Sequence, residues 1–356
     1  MKILYIALKF DYGIPKRGFS FEHYNFYDSL IKMDDGRHEV IYFPFDEILL
    51  EVGQEEMNKK LLMVVKEEKP DLCFFFLFTD EIYSETIKKI TSSGVLTYNW
   101  FADDHWRFPI FSRFYAPNFS WISTTDSQAV EKYKKIGCLN IIHTQWACNH
   151  FMYNPKFSTG DPNKKYEHEV SFVGQPHSDR KKIVEELNKV NIKVDCYGGG
   201  WPNGRVSQEK MIEIFSKSKI NLNPTKSSGG IDMNSLGKIL LSKKQGKYKI
   251  NLPWQWPNYI KSFLGRRREQ IKGRTFEIPG CGGFLISGLA DNIFDYYKPD
   301  KEMVFYKDQR ELVDKVRYYL NHDNERVTIA EAGYKRTVQE HTYEVRFREI
   351  FKMMNR

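Results

Sequence analysis

The sequence has little that would tie it to a metal, a membrane span or a disulfide framework. Its five cysteines (Cys73, Cys138, Cys148, Cys196, Cys281) are far apart and none forms a CxxC pair, which argues against a zinc site of ordinary spacing. An odd number of cysteines in a chain this long fits a reducing compartment, and the cytoplasm is the default expectation. No apolar run approaches the ~20 residues that a membrane-spanning helix needs. The longest, LCFFFLF at 72–78, has the length of a strand. No HExxH, P-loop, Ser/His/Asp triad spacing or strand-flanked DxD pair occurs, so no dedicated metal site is expected and no cofactor is implied. The triple glycine in VDCYGGGW does not match GxGxxG, and this disfavours a dinucleotide fingerprint.

What is present is a large, ordinary core. The chain has 356 residues, 41% hydrophobic and 15% aromatic, enough for two domains. Its net charge of +8 is uneven. Residues 226–274 hold twelve Lys/Arg against two acids, a net +10, so the remaining chain sums to −2. The basicity belongs to one segment of a nearly neutral body.

Short apolar runs alternate with helical patterns from the start. Strands are expected at 3–8, 39–43, 71–77, 95–100, 120–124 and 140–143, with helices at 20–33, 53–69, 80–92 and 126–136. A polar stretch at 153–169 reads as a linker. The alternation then restarts, with strands at 169–173, 192–197, 219–222, 283–287 and 303–306 and helices at 178–190, 207–217, 274–281, 308–321 and 323–340. Continuously apolar strands separated by helices imply parallel sheets buried on both faces. The expected class is therefore α/β with two Rossmann-like halves: 1–155, a linker at 156–168, and 169–342 with a basic insertion at 227–268. A final amphipathic helix, 343–356, would pack back on the first half.

In such sheets, ligands bind at the carboxyl ends of the strands. After the expected strand at 169–173 come Gly174 and then Arg180 at a helix start, a place suited to phosphate. The same pattern also fits a turn glycine and a solvated arginine. Gly198 and Gly199 follow the next strand and allow close backbone approach to a ligand. KGRTFEIPGCGGFLIS at 272–287 is the densest motif. Lys272 and Arg274 supply cations before a short helix, and Glu277 in its first turn can accept two vicinal hydroxyls, as from a ribose. Glu277 also fits simple pairing with its own helix N-terminus. In the first half, NWFADDHWRF at 99–108 brings Asp103, Asp104 and His105 to a strand end among aromatic rings. This suits a general base in a sugar- or base-binding pocket. An N-capping aspartate with a surface histidine is the plainer alternative.

The motif at 272–287 resembles the C-terminal signature of the spore-maturation-protein CgeB-like glycosyltransferases. STTDSQAVEKYKKIGCLNIIHTQWACNHFMYNP, EVSFVGQPHSDRKKIVEEL, VDCYGGGW, INLNP and ELVDKVRYYLNHDNERVTIAEAGYKRTVQEHTYEVRF match in the same order, over roughly 95–348. The resemblance implies a GT-B fold, two Rossmann-like domains facing a central cleft. The first domain would take a glycan, lipid-linked glycan or protein acceptor, and the second a nucleoside-diphosphate sugar as co-substrate. By resemblance, Glu277 is expected at the donor ribose, and Gly174, Arg180, Lys272 and Arg274 around the diphosphate. The spacing of Glu269 and Glu277 is similar to the paired-glutamate motif of related retaining enzymes. The insertion at 227–268 departs from the family.

Transfer to a hydroxyl without a metal is the expected reaction, with Asp104 or His105 handling the acceptor proton. The enzyme alternative is a sugar-nucleotide epimerase of the same fold. A nucleic-acid binder using the insertion is disfavoured, because the cations are confined to one segment. Peripheral contact of the insertion with a membrane surface is the third option.

Overall fold

The structure is a computed structural model that describes residues 1–155, 165–177, 179–226, 237, 239–244 and 247–355. The chain divides into two compact units, Met1–Gln145 with Ile231–Arg266 and Arg346–Arg356, and Trp146–Gly230 with Arg267–Val345.

Unit 1 is built on six parallel strands: β1 (Lys2–Ala7), β2 (Glu39–Pro44), β3 (Leu72–Phe75), β4 (Leu96–Phe101), β5 (Trp121–Thr124) and β6 (Ile141–His143), in the order β2-β1-β3-β4-β5-β6. Continuous apolarity along β1 and β3 arises because both sheet faces are covered. On one face, Leu4, Ile6, Cys73 and Phe75 join Met57, Leu61, Ile87 and Tyr133 from the covering helices. The other face is aromatic. Tyr5, Phe74 and Tyr98 stack edge to face, and Phe26 and Phe347 pack onto Phe74. Phe347 belongs to the last helix, Tyr343–Met353, and Arg348 pairs with Asp34 at 2.8 Å. The C-terminal residues thus pack on the first sheet, as expected.

Unit 2 holds β7 (His168–Val173), β8 (Val194–Tyr197), β9 (Ser218–Asn223), β12 (Leu285–Gly288) and β13 (Val304–Tyr306), all parallel, in the order β13-β12-β9-β7-β8. Taken in chain order, this is the topology of unit 1 shortened by one strand. In both units the order reverses beside the first strand, between β1 and β3 and between β7 and β9. Ligands of open α/β sheets bind outside the strand ends at that point.

The insertion was expected to form part of the second half. Its described residues up to Arg266 instead group with unit 1. They form an antiparallel hairpin, β10 (Leu241–Lys244) with β11 (Lys247–Ile250), and a helix, Trp256–Gly265. That helix packs on the turn after β4, where the backbone approaches so closely that a Cβ on Gly265 would lie 1.9 Å from the His105 carbonyl oxygen. Residues 227–236, 238, 245 and 246 of the insertion lie outside the described residues, as does 156–164 of the expected linker.

Candidate functional site

The end of β7 leads into a loop and then the helix Arg180–Lys189. Gly174 and Gly198 meet there. Gly198 has φ +132, and a Cβ on it would fall 2.4 Å from the Gly174 carbonyl oxygen, so only glycine allows this approach. Trp201 Nε1 closes the same carbonyl at 2.8 Å. The space freed at Gly198 is therefore filled by the neighbouring loop. Gly199, by contrast, is exposed, and a Cβ on it would meet only the Arg205 side chain, at 3.9 Å.

Arg180 lies half-buried over the Phe172 ring, 5.5 Å from its centroid, and donates to the Gln175 carbonyl at 2.9 Å. Its Nε has no hydrogen-bond partner, and among the described residues no carboxylate pairs with it. Burial, with the nearby positive charge of Arg274, pulls its pKa below the usual arginine value. Two guanidiniums close enough to disfavour each other form a place that an anion would stabilise. The surrounding charges are milder. Lys226, just after β9, sits 3.8 Å from Asp179 and 3.6 Å from Glu269. Glu269 is thus tied to a surface lysine, apart from Glu277. Lys272 is half-buried at the start of the motif, where its carbonyl accepts from the Thr275 N–H at 2.9 Å.

Glu277 is fully buried in the helix Arg274–Gly280. One of its oxygens accepts from the Tyr153 hydroxyl at 3.0 Å, and the other is paired with Arg274 one turn earlier. Burial opposes the charge of Arg274, but Glu277 outweighs it and lifts the guanidinium pKa. The carboxylate therefore fixes Arg274 in place. Contact with a ribose would require it to exchange one of these two partners.

In unit 1, the three candidates after β4 separate. Asp104 is fully buried. It accepts from Ser112 Oγ at 2.5 Å, Thr124 Oγ1 at 2.7 Å and the Tyr133 hydroxyl at 2.8 Å. Burial pushes its pKa up to about 6 despite these donors. An enclosed carboxylate with three hydroxyl donors is an anchor for the turn, which argues against the expected role as proton acceptor. His105 is also buried, beneath the insertion's helix. Asp103 is only half-buried, with its backbone in the left-handed region at φ 60. Its charge is felt by Tyr12 and by Arg266, which lies 3.9 Å over the Trp106 ring.

Three residues were not anticipated. Tyr12, in the loop after β1, is exposed and meets Phe78, just past β3, edge to face at 5.6 Å. They bracket the switch point of the first sheet. Glu22 follows in the same segment, where burial raises its carboxyl to about 7. The signal in the sequence was the polar–aromatic segment at 9–24, but locating it at the switch point required the strand order.

Among the described residues, no group of three or more His, Cys, Asp or Glu side chains comes together to hold a metal, and no helix is long and apolar enough to cross a membrane.

Comparison with known proteins bears on this arrangement. A family model described as glycosyl transferase-like matches residues 246–352. The spore protein CgeB of Bacillus subtilis (strain 168) is 20% identical over 286 residues, 80% of this chain and 82% of that protein. Sucrose-phosphate synthase from Thermosynechococcus elongatus superposes with a TM-score of 0.61 at 10% identity, covering 99% of both chains. Anabaena HepE, solved in complex with UDP and glucose, gives 0.56 at 9% identity over 100% of this chain and 99% of that one. The fold is GT-B. The family model and the match to CgeB agree with the resemblance to CgeB-like glycosyltransferases. The GT-B expectation from the sequence is borne out.

Proposed function

We propose that this GT-B protein moves a glycosyl group from a nucleoside-diphosphate sugar to a hydroxyl of a glycan or glycolipid acceptor, without a metal. The observation that carries the reading is Arg180, a half-buried guanidinium with no carboxylate partner among the described residues, at the switch point of unit 2 and in the field of Arg274. As the glycosidic bond breaks, negative charge grows on the departing diphosphate. Cations fixed beforehand stabilise that charge without reorganising. The N–H groups at the start of helix Arg180–Lys189 add partial positive charge. Lys272 adds a further cation in this reading.

On the acceptor side, the hydroxyl proton must pass to a base. Glu22, at about 7, has the pKa that proton transfer near neutrality requires. Asp103 is the alternative carboxylate; His105, buried under the insertion, and Asp104 are placed less well. Tyr12 and Phe78 offer ring faces to a sugar.

A thermal-shift panel of nucleoside diphosphates and nucleotide sugars tests the donor assignment, because binding to the native state raises apparent stability. Uridine nucleotides are the first probes, since HepE was solved with UDP and with UDP-glucose. The expected result is a shift with one nucleotide class that Arg180→Ala removes while the ligand-free melting temperature holds. A shift that survives Arg180→Ala would sink the site.

A further inference from the structure

The insertion carries a surface that the transfer reaction does not explain. Among the described residues, twenty large apolar side chains stand exposed, and eight of them fall within 240–264. Trp254 is 72% exposed, Ile250 70%, Leu264 54% and Ile260 44%. A soluble protein seldom gathers so many on one short segment unless something covers them.

The helix Trp256–Gly265 makes the anomaly plain. Its inner side, with Ser262 and Gly265, is buried against the turn after β4. The opposite side should be polar. It presents Trp256, Ile260, Lys261 and Leu264, at helical spacing. The preceding segment adds Leu252 and Trp254, and the hairpin ends on Ile250.

Charge selects the occupant. Lys249 and Lys261 are exposed on the same segment, and residues 249–264 contain no acid. Two copies meeting through this face would bring like charges together. A nucleic acid would use the cations and the tryptophans, but it would leave Ile250, Leu252, Ile260 and Leu264 in water. An interface of hydrocarbon below anionic headgroups satisfies both sets at once. Tryptophan and leucine enter the headgroup–acyl boundary, and lysines remain at the phosphates.

We infer that the insertion's segment 249–264 docks the protein on the surface of an anionic phospholipid bilayer. The helix is held by backbone contact at Gly265, so the docking face is presented by a fixed element rather than a loose loop.

The test is sedimentation of the full chain with vesicles of phosphatidylcholine alone and with a third phosphatidylglycerol. The variant is Trp254→Ser with Ile260→Ser, both exposed, with the melting temperature confirming the fold. The expected result is binding to the anionic vesicles, weakened by added salt, and at least tenfold weaker in the variant. A blue shift in emission that is lost in Trp254→Phe should accompany it. No sedimentation, equal sedimentation with both vesicles, or unchanged binding by the variant would overturn the inference. So would a concentration-dependent dimer that the variant abolishes, which would give the face to a second copy. None of these readouts depends on nucleotide-sugar binding.

Discussion

Asp104 in unit 1 and Glu277 in unit 2 are alike in two respects. Each carboxylate is fully buried, and each lies in the first turn of a short helix beside a parallel sheet. Their partners differ. Asp104 is held by three hydroxyls, so burial raises its pKa to about 6. Glu277 is held by a guanidinium and a phenol, and its charge in turn fixes the cation. Burial alone therefore says little about a carboxylate's task. Neutral donors make Asp104 a local anchor, whereas a cation makes Glu277 the positioner of a group that can face an anion.

The largest test of that contrast is Arg274→Ala. It leaves Glu277 enclosed with one phenol, and breaking a buried pair in this way costs about 3–5 kcal/mol. Chemical denaturation should show a loss of that size. A loss below about 1 kcal/mol would mean that Arg274 and Glu277 do not hold each other in place, and the contrast with Asp104 would fail.

Asp104→Asn should act through pH. The folded pKa of Asp104, about 6, lies above its unfolded value near 3.8. Between these values the folded state binds more protons, so stability falls as pH rises. A shift of about two pKa units corresponds to a penalty on the order of 3 kcal/mol above pH ~6. Asparagine can still accept from Thr124 and Tyr133. Calorimetry at pH 4 and 7 should therefore show a smaller decline with pH in Asp104→Asn than in the unaltered protein. An identical decline would assign the pH dependence to other groups, Glu22 first among them.

The smallest effect is expected at Lys226→Ala. Its contacts with Asp179 and Glu269 are long and solvent-exposed, so the melting temperature should reflect no more than about 0.5 kcal/mol. A larger change would promote this cluster to the same standing as Arg274 and Glu277.

The eleven strands of the two sheets were legible because both sheet faces are covered, which leaves unbroken apolar runs such as ILYIA and LCFF. The helix 308–321 matches Gln309–Leu320 for a similar reason: its apolar side repeats at helical spacing and Asp308 caps its start. The hairpin and helix of the insertion were not anticipated. Apolar residues there lie on the outer side as well as the inner, so no helical period separates the two. At the sites, residue type was readable but exposure was not. Asp103 and Asp104 are neighbours, yet one faces the surface and the other lies among hydroxyls. Gly198 was read as room for a ligand; that room is taken by Gly174. The switch-point residues Tyr12 and Phe78 come together only once β3 is paired beside β1.

The chain passes between the two units four times, at 145, 230, 266 and 345. No single cut releases either one as a continuous piece. A fragment ending at residue 155 would lack both the helix that rests on His105 and the C-terminal helix that carries Phe347. It would open an aromatic sheet face and the turn after β4 to water. Unit 1 is assembled from three separate stretches of sequence, so its aromatic sheet face closes only when residues more than 300 positions apart meet, as Arg348 and Asp34 do.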